Sequence, residues 1–247
     1  MTDALAWRKK FGVIVPSTNT IVEPDFYRMT VPGVTPHTSR IWIRDQNLGD
    51  DAAMEALLEQ IRVEIQFAVE RVATAEVDYM VMGMSAETFW GGMAGNREFI
   101  HNIKKWSGLD VATGAEACER ALNLFGVKKI GVVTPYQPIG DENVVKFFNE
   151  IGVDVVRIKG LKCPTAVSIA HVSEAELRQA LIEVDGDDVD ALVQAGTNLS
   201  MVGLADEAER WLGKPVIAIN AATWWMALRE NGIEDKVYGC GRLLREF

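Results

Sequence analysis

Gly12-Val13-Ile14-Val15-Pro16-Ser17 decides the fold, because the same phrase returns as Gly131-Val132-Val133-Thr134-Pro135-Tyr136. A second pair follows the first: Val77-Asp78-Tyr79-Met80-Val81 returns as Val189-Asp190-Ala191-Leu192-Val193. Each copy is a short apolar run that breaks into small polar residues, the pattern of a buried parallel strand ending in a loop. Two half-domains are therefore expected, residues 1–112 with 222–247 forming the first and 113–221 the second. If they face each other, strand ends near Ser17, Ser85, Tyr136 and Thr197 converge on one cleft, because open parallel sheets bind ligands beyond their carboxyl edges.

Outward from these phrases the chain alternates strand and helix. Strands are expected over 11–15, 39–43, 79–82, 129–134, 154–158, 191–194 and 216–219. Helices are expected from near Pro24 and over 54–73, 96–106, 114–125, 141–151, 177–184, 206–212 and 222–231. Ser173, with Glu176 three residues on, reads as a capping box. Pro32 to Pro36 reads as a breaker-rich connection, and Gly91-Gly92 with Gly95 as a flexible flap over a site. This alternation specifies right-handed crossovers and an α/β fold with parallel sheets.

Composition narrows the partners. Twenty-five basic and thirty-five acidic side chains give a net charge of −10, which argues against nucleic acid or a membrane surface as the partner. No apolar run approaches the roughly 20 residues of a spanning helix, and Met1 to Lys10 lacks a signal-peptide core, so a cytoplasmic protein is expected. Cys118, Cys163 and Cys240 are too scattered for a disulfide framework. Cys118 has the spacing of a core residue on a helix, and Cys163 and Cys240 receive no role. His37, His101 and His171 have no metal-ligand spacing, and no glycine-rich phosphate loop follows either opening strand. Neither a metal nor a dinucleotide or nucleoside triphosphate is expected.

The strand-end loops carry a resemblance. Val15-Pro16-Ser17-Thr18-Asn19-Thr20 with Glu23, Val133-Thr134-Pro135-Tyr136, and Gly213-Lys214-Pro215-Val216 resemble the maleate isomerase and arylmalonate decarboxylase branch of the aspartate/glutamate racemase superfamily. The resemblance covers nearly the whole chain. It implies two Rossmann-like half-domains related by a pseudo-twofold axis, no cofactor, and a small carboxylate held between the halves by hydroxyls, amides and backbone N–H groups. A homo-oligomer is compatible with such a fold. The family pattern places a cysteine after the second strand of each half. Here Met84 takes that position in Met84-Ser85-Ala86-Glu87-Thr88-Phe89, and Gly196 takes it in Gly196-Thr197-Asn198-Leu199. A one-residue slip would substitute Gly83 for Met84 and restore no thiol.

That departure bears on mechanism. Racemisation by two bases, or isomerisation through thiolate addition, lacks its reagent at these positions. Decarboxylation needs an apolar pocket to desolvate one carboxylate, donors for the enolate left behind, and a proton source. The expected catalytic residues are Tyr136, Glu87 and Ser85, and the expected substrate-binding residues are Ser17, Asn19, Met84, Gly196, Thr197 and Asn198. The leading expectation is a cofactor-independent decarboxylase or carbon-acid lyase. An isomerase or racemase using non-thiol groups, a hydrolase of a small amide with Glu87 activating water, and a non-catalytic carboxylate-binding protein stand beside it. Trp90, Trp224 and Trp225 are candidates for walls of an apolar pocket, with core packing the alternative for the last two.

Overall fold

The structure, a computed structural model, describes residues 3–247, so Met1 and Thr2 of the expected first half lie outside it. Two parallel sheets carry the fold. The first contains β1 (Lys9–Pro16), β2 (Val34–Ile41), β3 (Tyr79–Met82) and β4 (Val111–Ala112), in the order β2-β1-β3-β4. The second contains β5 (Lys129–Thr134), β6 (Asp154–Gly160), β7 (Ala191–Gln194) and β8 (Val216–Ala218), in the order β6-β5-β7-β8. Every pairing is parallel, and the spatial order of the first sheet is repeated in the second. The central strands are buried on both faces, which is why they read as unbroken apolar runs.

The helices are α1 (Val22–Arg28), α2 (Asp51–Ala73), α3 (Ala86–Phe89), α4 (Gly92–Ser107), α5 (Gly114–Phe125), α6 (Pro138–Glu150), α7 (Glu174–Val184), α8 (Val202–Leu212), α9 (Ile219–Glu230) and α10 (Arg242–Glu246). Asp50 caps α2 by accepting from the Ala53 N–H, and the stripe from Met54 to Val72 is buried. Both halves of the Ser173–Glu176 capping box form at the start of α7. Residues 219–228 of α9 are all buried, because this helix packs against α1, α5, β3, β4 and β8 at once. Trp224 lies edge-on to Phe11 at 5.3 Å and 4.9 Å from Phe26, and its indole N–H donates to the Met29 carbonyl. Trp224 and Trp225 are both buried core residues.

Three expectations are corrected. The connection expected at 32–36 is shorter: Pro32 and Gly33 form a turn and β2 begins at Val34, so Pro36 lies within that strand; β2 is an edge strand, where a residue without an N–H is tolerated. The glycine flap is a tight helix junction. Gly91 enters α4 at φ 76°, and the Trp90 carbonyl lies where a side chain on Gly95 would begin, so these glycines permit close packing at the start of the helix. No helix is expected over 86–89 from the sequence, and the chain there forms the single-turn helix α3. Among the described residues no helix is long and apolar enough to cross a membrane.

Candidate active site

The carboxyl ends of β1, β3, β5 and β7 open into one cavity of about 80 Å³. At about 10–15 Å³ per water, that is room for a small metabolite and not for a nucleotide. One wall is apolar: Met54, Leu57, Leu58 and Ile61 from the first turns of α2, with Ile43 and Leu48 ahead of it. The opposite side is polar, with Asn19, Ser85, Tyr136, Gln137, Thr197 and Asn198. None of the lining residues carries a formal charge. An anion in this cavity would be held by neutral donors alone.

The polar groups form a continuous chain across both halves. Ser85 Oγ lies 2.7 Å from the Tyr136 hydroxyl and accepts from the Thr197 N–H at 3.2 Å. Thr197 Oγ1 accepts from Asn19 Nδ2 at 3.2 Å, while Asn19 Oδ1 accepts from the Ile21 and Val22 N–H groups. Asn19 therefore fixes its own turn and reaches across the cleft as well. Asn198 ties the rim together, accepting from the Thr20 N–H and donating to the Ala166 carbonyl. Burial pushes the Tyr136 phenol well above its ordinary value, against a smaller opposing effect of the Ser85 bond, so Tyr136 is a neutral donor at pH 7.

Charged residues sit behind this chain and brace it. Arg40 donates to the Pro16 and Asn19 carbonyls and pairs with Glu23, which explains the carboxylate following the Asn19 turn. In the second half, Thr134 Oγ1 donates to Asp141 and accepts from the Tyr136 N–H, setting the turn that aims Tyr136. Burial raises the Asp141 carboxyl to about 6, against the Thr134 bond and Lys162. Gly140 allows α6 this close, because a Cβ there would meet Tyr136 Cβ at 2.6 Å.

The structure brings Asn19, Ser85, Tyr136, Thr197 and Asn198 together, with Met84 and Gly196 in the same lining. It separates two other expected residues from them. Ser17 is exposed and spends its hydroxyl on the Ile43 backbone, accepting from its N–H at 3.1 Å; it holds the end of β1 to the chain leaving β2. Glu87 belongs to α3 and lines a different hollow with Trp90, where it pairs with Arg62 of α2 at 2.7 Å. Burial raises the Glu87 carboxyl as expected for a general acid, the Arg62 pair opposing, but the group is outside the cavity. Its partner lies 25 positions away in sequence, a contact no local pattern announces.

Met84 and Gly196, the two positions where the resemblance implies a cysteine, are closed in different ways. Met84 is 3% exposed and fills its place with a thioether. At Gly196 a Cβ would meet Pro135 Cδ at 2.5 Å, so the proline that ends β5 occupies the space a side chain needs. Gly83 is equally tight, its Cβ position lying 2.8 Å from Val15 and Val22.

A thiol nevertheless lines the cavity. Cys163, left without a role by its sequence setting, follows β6 at the carboxyl edge. The Leu161 N–H donates to the Thr134 carbonyl and the Cys163 N–H to the Pro135 carbonyl, extending the β5–β6 pairing past the strand end and carrying Cys163 alongside Tyr136. Burial raises its thiol to about 11, with Glu176 adding to the effect. Carrying the strand-end rule to β6 as well as to the central strands would have found it. Cys118 is a core residue, fully buried, its thiol raised by burial to about 12. Among the described residues no group of three or more His, Cys, Asp or Glu could hold a metal ion.

Paired four-stranded parallel sheets with a charge-free cavity between their strand ends define a class of α/β proteins that enclose a small ligand between two similar halves. The family model described as arylmalonate decarboxylase matches residues 11–244, and the chain belongs to that family. A maleate isomerase of Pseudomonas putida is 26% identical over 248 residues, covering 95% of this chain and 96% of that protein. The arylmalonate decarboxylase of Bordetella bronchiseptica is 25% identical over 240 residues, with 95% and 96% covered. Among solved structures, a Nocardia farcinica maleate cis-trans isomerase mutant carrying a covalently bound succinylcysteine intermediate superposes with a TM-score of 0.85 at 22% identity, covering 97% of this chain and 99% of that one.

Proposed function

We propose that the protein is a cofactor-independent enzyme acting on a small carboxylate, and that its reaction is the decarboxylation of a substituted malonate. The observation that carries this reading is the cavity itself, with neutral donors on one side and aliphatic side chains on the other. A carboxylate placed against Leu57, Leu58 and Ile61 loses hydration, which favours its departure as CO2. The electron pair of the broken C–C bond passes to the α-carbon and spreads over the retained carboxylate as an enediolate. The Tyr136 and Ser85 hydroxyls, paired with each other at 2.7 Å, donate to its oxygens. Cys163 then gives its S–H proton to the α-carbon, and the thiolate recovers a proton from water.

The raised Cys163 thiol suits this role, because a group that stays protonated at pH 7 is an acid, whereas addition to a double bond requires thiolate. The hydrolase reading loses its base, since Glu87 is ion-paired outside the cavity. Isomerisation of maleate remains the second reading. It is favoured by the relatives named maleate isomerase and by the presence of one thiol in the lining.

The test is to incubate the protein with monosubstituted malonates, maleate, maleamate and amino acids, and to follow masses by mass spectrometry. The expected result is CO2 loss from an alkyl- or aryl-substituted malonate. Conversion of maleate to fumarate with all malonates unchanged would establish the second reading. Saturable carboxylate binding without any turnover would leave only a binding protein.

A further inference from the structure

Thr197 is held from behind by two residues that do not touch the cavity. Asn220, in the first turn of α9 and 3% exposed, donates through Nδ2 to the Thr197 carbonyl at 3.0 Å and to Asp25 Oδ2 at 2.8 Å. Asn220 Oδ1 is buried with no partner. Asp25 lies on α1, from the opposite half, and is 9% exposed. Asp25 also lines a separate polar hollow, shared with Arg28, Ser200 and Asp206.

We propose that Asp25 and Asn220 are positioning residues that set the direction of the Thr197 N–H and hydroxyl, and that the protonation of Asp25 switches this hold between a firm and a slack state. The proposal rests on the functional reading above in one respect only, that Thr197 belongs to the substrate cage. The geometry explains the switch. With Asp25 ionised, the amide nitrogen stands between two acceptors and its orientation is fixed. Once Asp25 Oδ2 carries a proton it is a donor instead of a charged acceptor, so Nδ2 loses one of the two acceptors that fix it. The amide is then held by the Thr197 carbonyl alone, and its grip on that residue slackens.

Burial raises the Asp25 carboxyl to about 6, with the Asn220 bond and then Arg28 opposing, so the switch falls close to neutrality. The groups around it are Arg28 on its own helix, the Cys240 thiol, Asp206, Glu207 and Arg210 on α8, and Glu174 at the start of α7. Among these the cations favour ionisation and the carboxylates oppose it. The sign for stability is the reverse of the sign for function. A carboxyl raised from 3.8 to about 6 contributes stability that is present below pH 4 and lost as pH rises through about 6. The charged form needed for a firm Thr197 is therefore the less stable form of the fold.

The experiment is a titration of the free protein by NMR between pH 4.5 and 8, following the Asp25 carboxyl carbon and the Thr197 amide. A shared midpoint near pH 6, absent at Thr197 in Asp25→Asn, is expected. A flat Thr197 amide while Asp25 titrates would overturn the proposal, and so would an Asp25 midpoint below about 4.5. For a substrate found by the panel above, kcat/KM is expected to fall on the acid side of pH 6 in the native protein and to stay level in Asp25→Asn. Asn220→Ala is expected to raise KM about tenfold at pH 7.5 with kcat little changed, and an unaltered KM would count against the relay. If no substrate turns over while the shared midpoint is present, the functional reading fails and the relay stands; turnover without that midpoint overturns the relay and leaves the functional reading in place.

Discussion

The two halves present equivalent strand ends to one cavity and furnish them with different chemistry. Val15 pairs with Arg40 in the first sheet as Thr134 pairs with Gly160 in the second, so Ser17 corresponds to Tyr136 and Ile43 to Cys163. In the first half the pair is spent on structure, Ser17 holding the Ile43 backbone. In the second half both positions line the cavity with ionisable groups. The thiol sites are asymmetric too, Met84 filling one and Pro135 crowding the other. The halves thus share a fold and differ in chemistry: the ionisable lining groups come from the second, and the aliphatic wall of α2, beside Asn19 and Ser85, from the first.

The harshest test of this asymmetry is Cys163→Ala. Removing a positioned general acid costs typically 10²–10⁴-fold, and a loss of kcat on the order of 10³ is expected with an unchanged melting temperature. Cys163→Ser separates the acid from the space it fills: a serine hydroxyl is a far weaker acid, so its rate should stay closer to Ala than to Cys. A native rate in Cys163→Ala would return proton transfer to Tyr136 or water. Tyr136→Phe comes next, with kcat lower by about 10², the scale of one lost transition-state donor. If KM alone rises, Tyr136 holds the ground state and does nothing more.

Much of the fold is legible in the chain itself, and the reason is visible element by element. β3, β5, β7 and α5 begin and end where the sequence places them, because a strand buried on both faces is an unbroken apolar run and α5 has Thr113 and Gly126 as its stops. The 32–36 segment and the 91–95 segment mislead for a common reason. Proline and glycine punctuate a chain only when neighbours do not decide otherwise, and an edge position or a close carbonyl does decide. The meeting of the strand ends is legible through the repeat, and Asn19 and Asn198 through the family resemblance. Cys163 is legible only if the strand-end rule is carried to the edge strand β6, and the Glu87–Arg62 pair is not legible at all, since it joins elements far apart in sequence.

Restoring a thiol by Gly196→Cys sharpens the comparison between the halves. A side chain there runs into Pro135, and overpacking of this kind costs about 1–3 kcal/mol. The variant is expected to unfold at lower urea concentration and to gain no isomerase activity, because the ring must shift and Tyr136 shifts with it. Racemisation or isomerisation appearing in that variant at undiminished stability would show that the second half is more pliable than its packing indicates.

Glu87→Gln carries the smallest effect and decides which half holds the proton machinery. Glu87 belongs to the first half and pairs with Arg62, whose side chain is 39% exposed, so the bond contributes about 0.5 kcal/mol by the standard of exposed pairs. Turnover within about twofold of native is expected, since the side chain lies beyond the cavity wall. Burial raises the Glu87 carboxyl above its unfolded value, so its contribution to stability is present at low pH and lost as pH rises through the folded value. The variant, which has no such titration, should therefore gain on the native protein in urea midpoint between pH 4 and pH 7. A large loss of turnover in Glu87→Gln would move an essential carboxylate back into the first half, and the assignment of proton transfer to Cys163 would have to be withdrawn.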